Sequence, residues 1–335
     1  MSTSVTPFLK YSFTFGISTM RGRGFYYPTD AVFGKNGLIY VPNRSVPVVE
    51  EGIRICICDV EGGFYGIFGF RGNGDGQFMW PSAGAMDSNG LLYFSDEYTH
   101  RISIFDAEGE FVSKWGIHGA KNGNLDTPSS ITFDKHDDLY VSDTYNNRIQ
   151  KFTKDGKFMG FWGTFGIRDG QFNLPWGISK DVSGNLYVAD WRNDRIQKFT
   201  TDGEFISKFA ASGNGDGQLS RPSDVAVDLH GNIYVADWGN QRVQVLSPNG
   251  NFLLMLRGHA DLNPWASEYL QAQADEDRAR ATFVPIFDVD TDDPHEESAR
   301  IEPYFWDPVS LALDKDNRLY VLETCRHRFQ VYERY

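Results

Sequence analysis

The sequence is poor in several things that would each have named a class of protein. Three cysteines in 335 residues are too few for a disulfide framework. Cys56 and Cys58 alternate along one stretch, so they face one side and are badly placed to bond to each other, and Cys325 stands far off. Such usage fits reduced surroundings. No apolar stretch approaches the ~18 residues of a membrane span, and the opening MSTSVTPFLKYSF lacks the basic-then-apolar pattern of a secretory signal. A soluble, cytoplasmic protein is expected. Lys/Arg-rich runs are missing too, and 45 acidic against 32 basic residues give a net charge of −13. The electrostatic attraction that supplies most nucleic-acid affinity is therefore absent, which argues against such a partner. No nucleophile elbow, metallohydrolase or dinucleotide-binding motif occurs, and Ser, His and Asp are too scattered to select a triad.

What is present is a repeat. Its cleanest copy, PWGISKDVSGNLYVADWRNDRIQKFTTDGEFISKF from Pro175 to Phe209, holds four short runs rich in Val, Ile, Tyr and Phe, each closed by Gly, Asp or Asn. That pattern reads as an antiparallel four-stranded meander. Further copies begin at Pro81, Pro128 and Pro222, and these four prolines are spaced 47 residues apart. Degenerate copies follow Pro28 and Pro308, and the last stops after three strands. Tyr11 to Gly16, YSFTFG, matches the outer-strand pattern FVSKWG and is the candidate for its missing fourth strand. One sheet cannot bury both its faces; a ring of six can, and sharing a sheet between the two termini hides the edges. The fold expected is an all-β, six-bladed propeller of four-stranded antiparallel blades, filling residues 1–335 as one domain.

The runs GNLYVADWRNDRIQKF and GNIYVADWGNQRVQVL, with the interblade loops GNGDGQF and GIRDGQFNLP, resemble NHL repeats, which form six-bladed propellers. The resemblance implies fold more than activity, because propellers host many unrelated functions. Asp143, Asp190 and Asp237 recur with Arg148, Arg195 and Arg242 five residues on, a pairing expected to shape a loop in every blade. The segments Gly72 to Gly76 and Gly213 to Gly217 look like ion or phosphate loops, but they recur with the period and no helix follows, so turn formation is expected.

Between Pro222 and Pro308 the step is 86 residues, 39 beyond the regular spacing. The insertion runs from about 258 to 305. Pro264 to Ala281 predicts a helix bearing Trp265, Tyr269 and Leu270, and Asp288 to Glu297 predicts an acidic solvated loop. Joining two blades on the top face, it is expected to lie over the channel mouth as a lid.

Candidate site residues follow from propeller geometry. Those directly after each blade-opening proline border the channel: Thr29 and Asp30, Ser82, Ser129, Trp176, Ser223 and Asp224, Val309. Those after the second strand border the mouth: Asn43 and Arg44, Glu97 and Tyr98, Thr144 and Tyr145, Trp191 and Arg192, Trp238, Thr324. Five of seven histidines also fall on or above that face. Arg44, Trp176, Trp191, Trp238, Asp30 and Asp224 are the candidates to hold an anionic or aromatic small molecule.

Among NHL-like propellers, the resemblance to peptidylglycine alpha-amidating lyase implies zinc-binding histidines after alternate blade-opening prolines. This chain has Ser, Thr, Trp and Val there, so no metal of that kind is expected. Tyr98 and Tyr145 match that family's tyrosine, with Arg192 at a similar point, and are the candidate catalytic residues. Calcium-dependent lactonases of related shape imply a different ion, for which Asp30, Asn43, Asp224 and Glu323 are available. Two readings stand: a module binding a small molecule, peptide or protein at the channel mouth, or a lyase or hydrolase working there.

Overall fold

A computed structural model describes residues 8–46, 50–282 and 291–335. Six four-stranded antiparallel sheets form the ring, five of them built from consecutive strands, and blade four is typical: Pro175–Lys180, Leu186–Asp190, Arg195–Phe199 and Phe205–Phe209, from the channel outward. The second and third strands of this blade are buried at nearly every position because a neighbouring blade covers each face. Apolar clusters accordingly lie between blades. Tyr140 and Ile149 of blade three, for example, pack with Ile178, Leu186 and Val188 of blade four. Each such side chain contributes about 1.5–3 kcal/mol.

The third-to-fourth-strand turn adds a constraint that the repeat keeps. Gly156 sits at φ +82°, and a Cβ there would come 2.5 Å from the Trp115 ring of the preceding blade. The ring from one blade thus fills the space left by the glycine of the next.

Ring closure follows the expected route. Strand Leu9–Phe15 pairs antiparallel with Arg328–Arg334, placing Leu9 opposite Arg334, Tyr11 opposite Tyr332 and Phe15 opposite Phe329. Blade six therefore contains both ends of the described chain.

The insertion forms three helices, α1 (Pro264–Ala272), α2 (Ala274–Thr282) and α3 (Pro294–Arg300). The single helix expected over 264–281 breaks at Gln273, beyond which Asp275, Glu276 and Asp277 suit a new N-terminus. Part of the acidic run, 288–290, lies outside the described residues. Its later part is helical, not a loop, because Asp293 caps α3 and Pro294 occupies its first turn.

The lid expectation is corrected for α1. Trp265 is 2% exposed, but it is buried in the joint between blades six and one, among Phe15, Phe25 and Phe64, and donates its indole N–H to the Gly62 carbonyl at 3.0 Å. The indole finds its apolar cover in that joint and none of it at the mouth. It is α3 that reaches the top face, where it packs on the turn Trp238–Asn240. No helix among the described residues is long and apolar enough to cross a membrane.

Candidate functional site

The second-to-third-strand loops of blades two to six are each held by one buried carboxylate, and Asn43 takes that place in blade one. In blade four, Asp190 accepts from Asn173 N (2.7 Å), Asn193 Nδ2 (2.8 Å), Arg195 Nε (2.8 Å) and Gln197 Nε2 (3.0 Å). Asp143 with Arg148, Asp237 with Arg242, and Glu323 with Arg328 repeat the arrangement at 2.7–2.8 Å. Burial raises the pKa of each of these carboxyls, and the arginine and amide donors oppose that. This network is structural, as its recurrence predicts. It also fixes where the next two residues point.

In four blades the residue directly after this loop position (Asn43, Asp190, Asp237 or Glu323) turns into the mouth, whereas Tyr98, Tyr145 and Arg192, one place further on in their blades, turn out. Arg44, Trp191, Trp238 and Thr324 line a cavity of about 260 Å³ at the channel mouth, together with Thr29, Asp30, Trp176 and Asp224. By contrast, Tyr98 and Tyr145 are 60% and 59% exposed and lie outside that lining. Arg192 is outside it too, its guanidinium 5.4 Å from the outer Trp191 ring. The structure thus brings together six of the nine candidate residues and leaves apart the three named for catalysis.

The cavity has two unlike sides. Blades four and five contribute an apolar arc: Trp176 and Trp191 have ring centroids 6.1 Å apart, and Trp191 and Trp238 6.3 Å. His295 of α3 stands edge-on to Trp238 at 4.6 Å and is held by Asp307 at 3.2 Å. Across the channel, Arg44 donates to Glu97 Oε1 (2.6 Å), Ser82 Oγ (3.0 Å) and Pro81 O (2.9 Å). Its charge is met inside the protein, so the anion-holding role expected of it is already taken by Glu97.

Hydroxyls around the mouth are also committed. Ser129 bonds Trp176 O at 3.0 Å, Ser223 bonds Pro308 O at 3.0 Å, and Thr324 bonds Pro28 O at 2.6 Å, each tying one blade to the next.

One layer deeper lies a carboxyl pair that spans blade six. Asp30 accepts from Ser310 Oγ at 2.6 Å and Gly84 N at 2.8 Å, and Asp224 accepts from Leu311 N at 2.8 Å. Burial pushes the Asp224 carboxyl up to about 8, aided by the nearby Asp30 charge, and burial raises Asp30 as well. Gly177 faces this pair: a Cβ there would meet Asp224 Oδ1 at 2.3 Å. Ser310 and Gly177 were not singled out for the site by sequence, although they stand at the Asp30 and Asp224 position of their own repeats.

The other two calcium-ligand candidates are spent elsewhere. Asn43 accepts from Tyr26 N and donates to Val41 O and Arg54 O, and Glu323 is held by Arg328, Gln330 and Trp306 N. A second cluster joins His100, of blade two's second-to-third-strand loop, to His118 and Asp126 of the following interblade loop. Its imidazoles stack at 4.0 Å, and His100 Nδ1 accepts from Thr127 N at 3.0 Å. The neutral ring then carries its proton on Nε2, which leaves no lone pair for a metal. The glycine-rich interblade segments are turns, closed by Gly74 N and Gly215 N donating to Gln77 and Gln218.

The NHL repeat model matches residues 125–152, 172–199, 219–246 and 305–332. No curated protein matches the sequence. Among solved structures, a streptogramin B lyase is 14% identical, with 98% of each chain covered and a TM-score of 0.58. Virginiamycin B lyase from Staphylococcus aureus is 13% identical over 97% of this chain and 99% of that one, TM-score 0.58. A gluconolactonase of Xanthomonas campestris is 13% identical over 93% and 88%, TM-score 0.61. At these identities the likeness is one of fold. Four matched repeats, six closed blades and the conserved loop geometry within the chain make this protein an NHL-repeat six-bladed β-propeller.

Proposed function

We propose that the protein binds a small molecule in the channel mouth of its top face, with the ligand's apolar or aromatic part against Trp176, Trp191 and Trp238. The observation that carries this is the cavity itself. It gathers an apolar aromatic arc and a few convergent polar groups in one concave space, as small-ligand sites do. Isothermal titration with a small neutral aromatic alcohol, 2-phenylethanol, tests it. Measurable binding that is lost in Trp176→Ala and Trp238→Ala is expected; equal binding by both variants removes the site from the mouth. The reading includes a cytoplasmic protein with no nucleic-acid partner, supported by cysteine usage and the acidic balance. A peptide or protein end presenting an aromatic side chain would use the same arc.

One observation favours a second reading, a lyase or hydrolase of the class to which the named neighbours belong. Asp30 and Asp224 set a proton-holding carboxyl beside a second carboxyl, the arrangement from which an acid and a base are made. Turnover of simple cyclic esters, abolished in Asp224→Asn, supports it; turnover unchanged in that variant removes the pair from any chemistry.

A further inference from the structure

Among the described residues, no cation faces Asp30 or Asp224. Their partners are Ser310 and the backbone N–H groups of Ala31, Gly84, Val225 and Leu311. Arg44, the cation of the mouth, is met by Glu97. The cavity therefore holds two carboxyls with no cation of their own beneath an apolar rim, and Asp224 keeps its proton up to about pH 8. Elsewhere in this protein four of the five buried carboxylates of the loop network have their own arginine, and the fifth, Asp96, accepts from four backbone N–H groups, so the pair in the channel is less well matched than the loop carboxylates. Buried charge without a partner is costly and is kept where something pairs with it.

From this arrangement we infer that the channel mouth selects organic cations: the occupant is a protonated amine with an aromatic or apolar body, its N–H groups directed at Asp224 Oδ1 and its body against the tryptophans. This rests on the mouth being a ligand site. The chemistry of the free acceptor favours an ammonium over a metal ion. Asp30 Oδ1, Asp30 Oδ2 and Asp224 Oδ2 each already accept a hydrogen bond at 2.6–2.8 Å, and Asp224 Oδ1, under the notch of Gly177, has the most acceptor capacity left. One oxygen suits a single N–H donor, whereas calcium needs about six to eight oxygens. The tryptophan arc adds attraction for a cation that an alcohol or an acid lacks. Trp191 already holds two cations of the protein itself, with the Arg192 and Arg221 guanidinium groups both 5.4 Å from its ring centroid.

Charge selection has a pH signature. The strands flanking Asp224 bring Gly177, Ser310 and Leu311 to its level, and Lys180, at the far end of blade four's inner strand, is bonded to Phe133 O. The charged groups facing Asp224 are thus Asp30 and, at the rim, the Arg44–Glu97 pair. Its carboxyl loses its proton near pH 8, so a cationic ligand gains an opposing charge as pH rises through that value.

Three probes sharing one phenyl body separate the possibilities: phenethylamine, 2-phenylethanol and phenylacetate, titrated calorimetrically in the presence of EDTA. The amine is expected to bind about tenfold tighter than the alcohol, and phenylacetate weaker than either. The preference for the amine should grow from about pH 6.5 to about pH 8.5 and release a proton on binding. Asp224→Asn should bring the amine down to the affinity of the alcohol, with a thermal midpoint measured alongside to show that the variant is folded. Equal binding of amine and alcohol, or tighter binding of phenylacetate, overturns the inference and leaves the site standing. No binding of any probe overturns both.

Discussion

Two side chains show how much single residues carry. Arg195 supplies the charge that Asp190 needs inside the protein, with both groups nearly inaccessible to solvent. Removing one partner leaves the other buried and unpaired, so Arg195→Ala should cost about 3–5 kcal/mol, read from the denaturant midpoint, while a change at exposed Arg192 should cost almost nothing. His327 is a different case. Its Nδ1 accepts from Tyr27 N at 2.8 Å, so the ring must stay neutral, and burial lowers its pKa to about 4 from 6.5. The unfolded chain binds that proton first as pH falls. Stability from this residue is therefore complete above about pH 6.5 and is lost progressively toward pH 4, about 3 kcal/mol in all. The buried carboxylates have raised values and shift stability the opposite way. For that reason the test is a comparison of thermal midpoints with His327→Asn, which puts at this position the residue that in blade three, as Asn147, accepts the same bond from Leu174 N. The variant should lose less stability than wild type between those two pH values. An identical pH dependence would remove His327 from the account.

Elements that repeat were legible in the sequence, and the one that does not was misread. The Asp-Arg pairs, the turn glycines and the strand that closes blade six all follow from period and alternation, because each copy constrains the others. Trp265 has no copy to be compared with. Its helical spacing showed that it needed an apolar surface but did not say which, and the joint between blades six and one was closer than the mouth. The outward turn of Tyr98 and Tyr145 was hidden for a related reason: a one-residue step past Asp96 or Asp143 reverses the direction of a side chain, and sequence does not display the turn that sets it. Trp265→Ala should consequently lower stability by about 3–5 kcal/mol, since a cavity opens between two blades. Replacing residues 258–305 by a short interblade loop should lower the thermal midpoint to a comparable degree. A replacement that melts like wild type would show that α1 adds nothing to ring closure.

At the level of the whole molecule, stability rests on a closed circle of like contacts, and the closing blade is the one assembled from distant parts of the chain. Deleting residues up to Gly16 should leave the third strand of blade six without its outer partner, lowering the thermal midpoint by several degrees and raising binding of a hydrophobic dye. The pairing of Leu9 with Arg334 has a mechanical side. Both ends of the described chain leave the ring at the same corner, where Tyr335 N also reaches Phe8 O at 3.3 Å. Tension between two tethers attached there would peel the closing ladder apart one hydrogen bond at a time, instead of loading all of its bonds together. Under force, then, the ring should open as a zipper at blade six while the five blades made from consecutive strands remain intact.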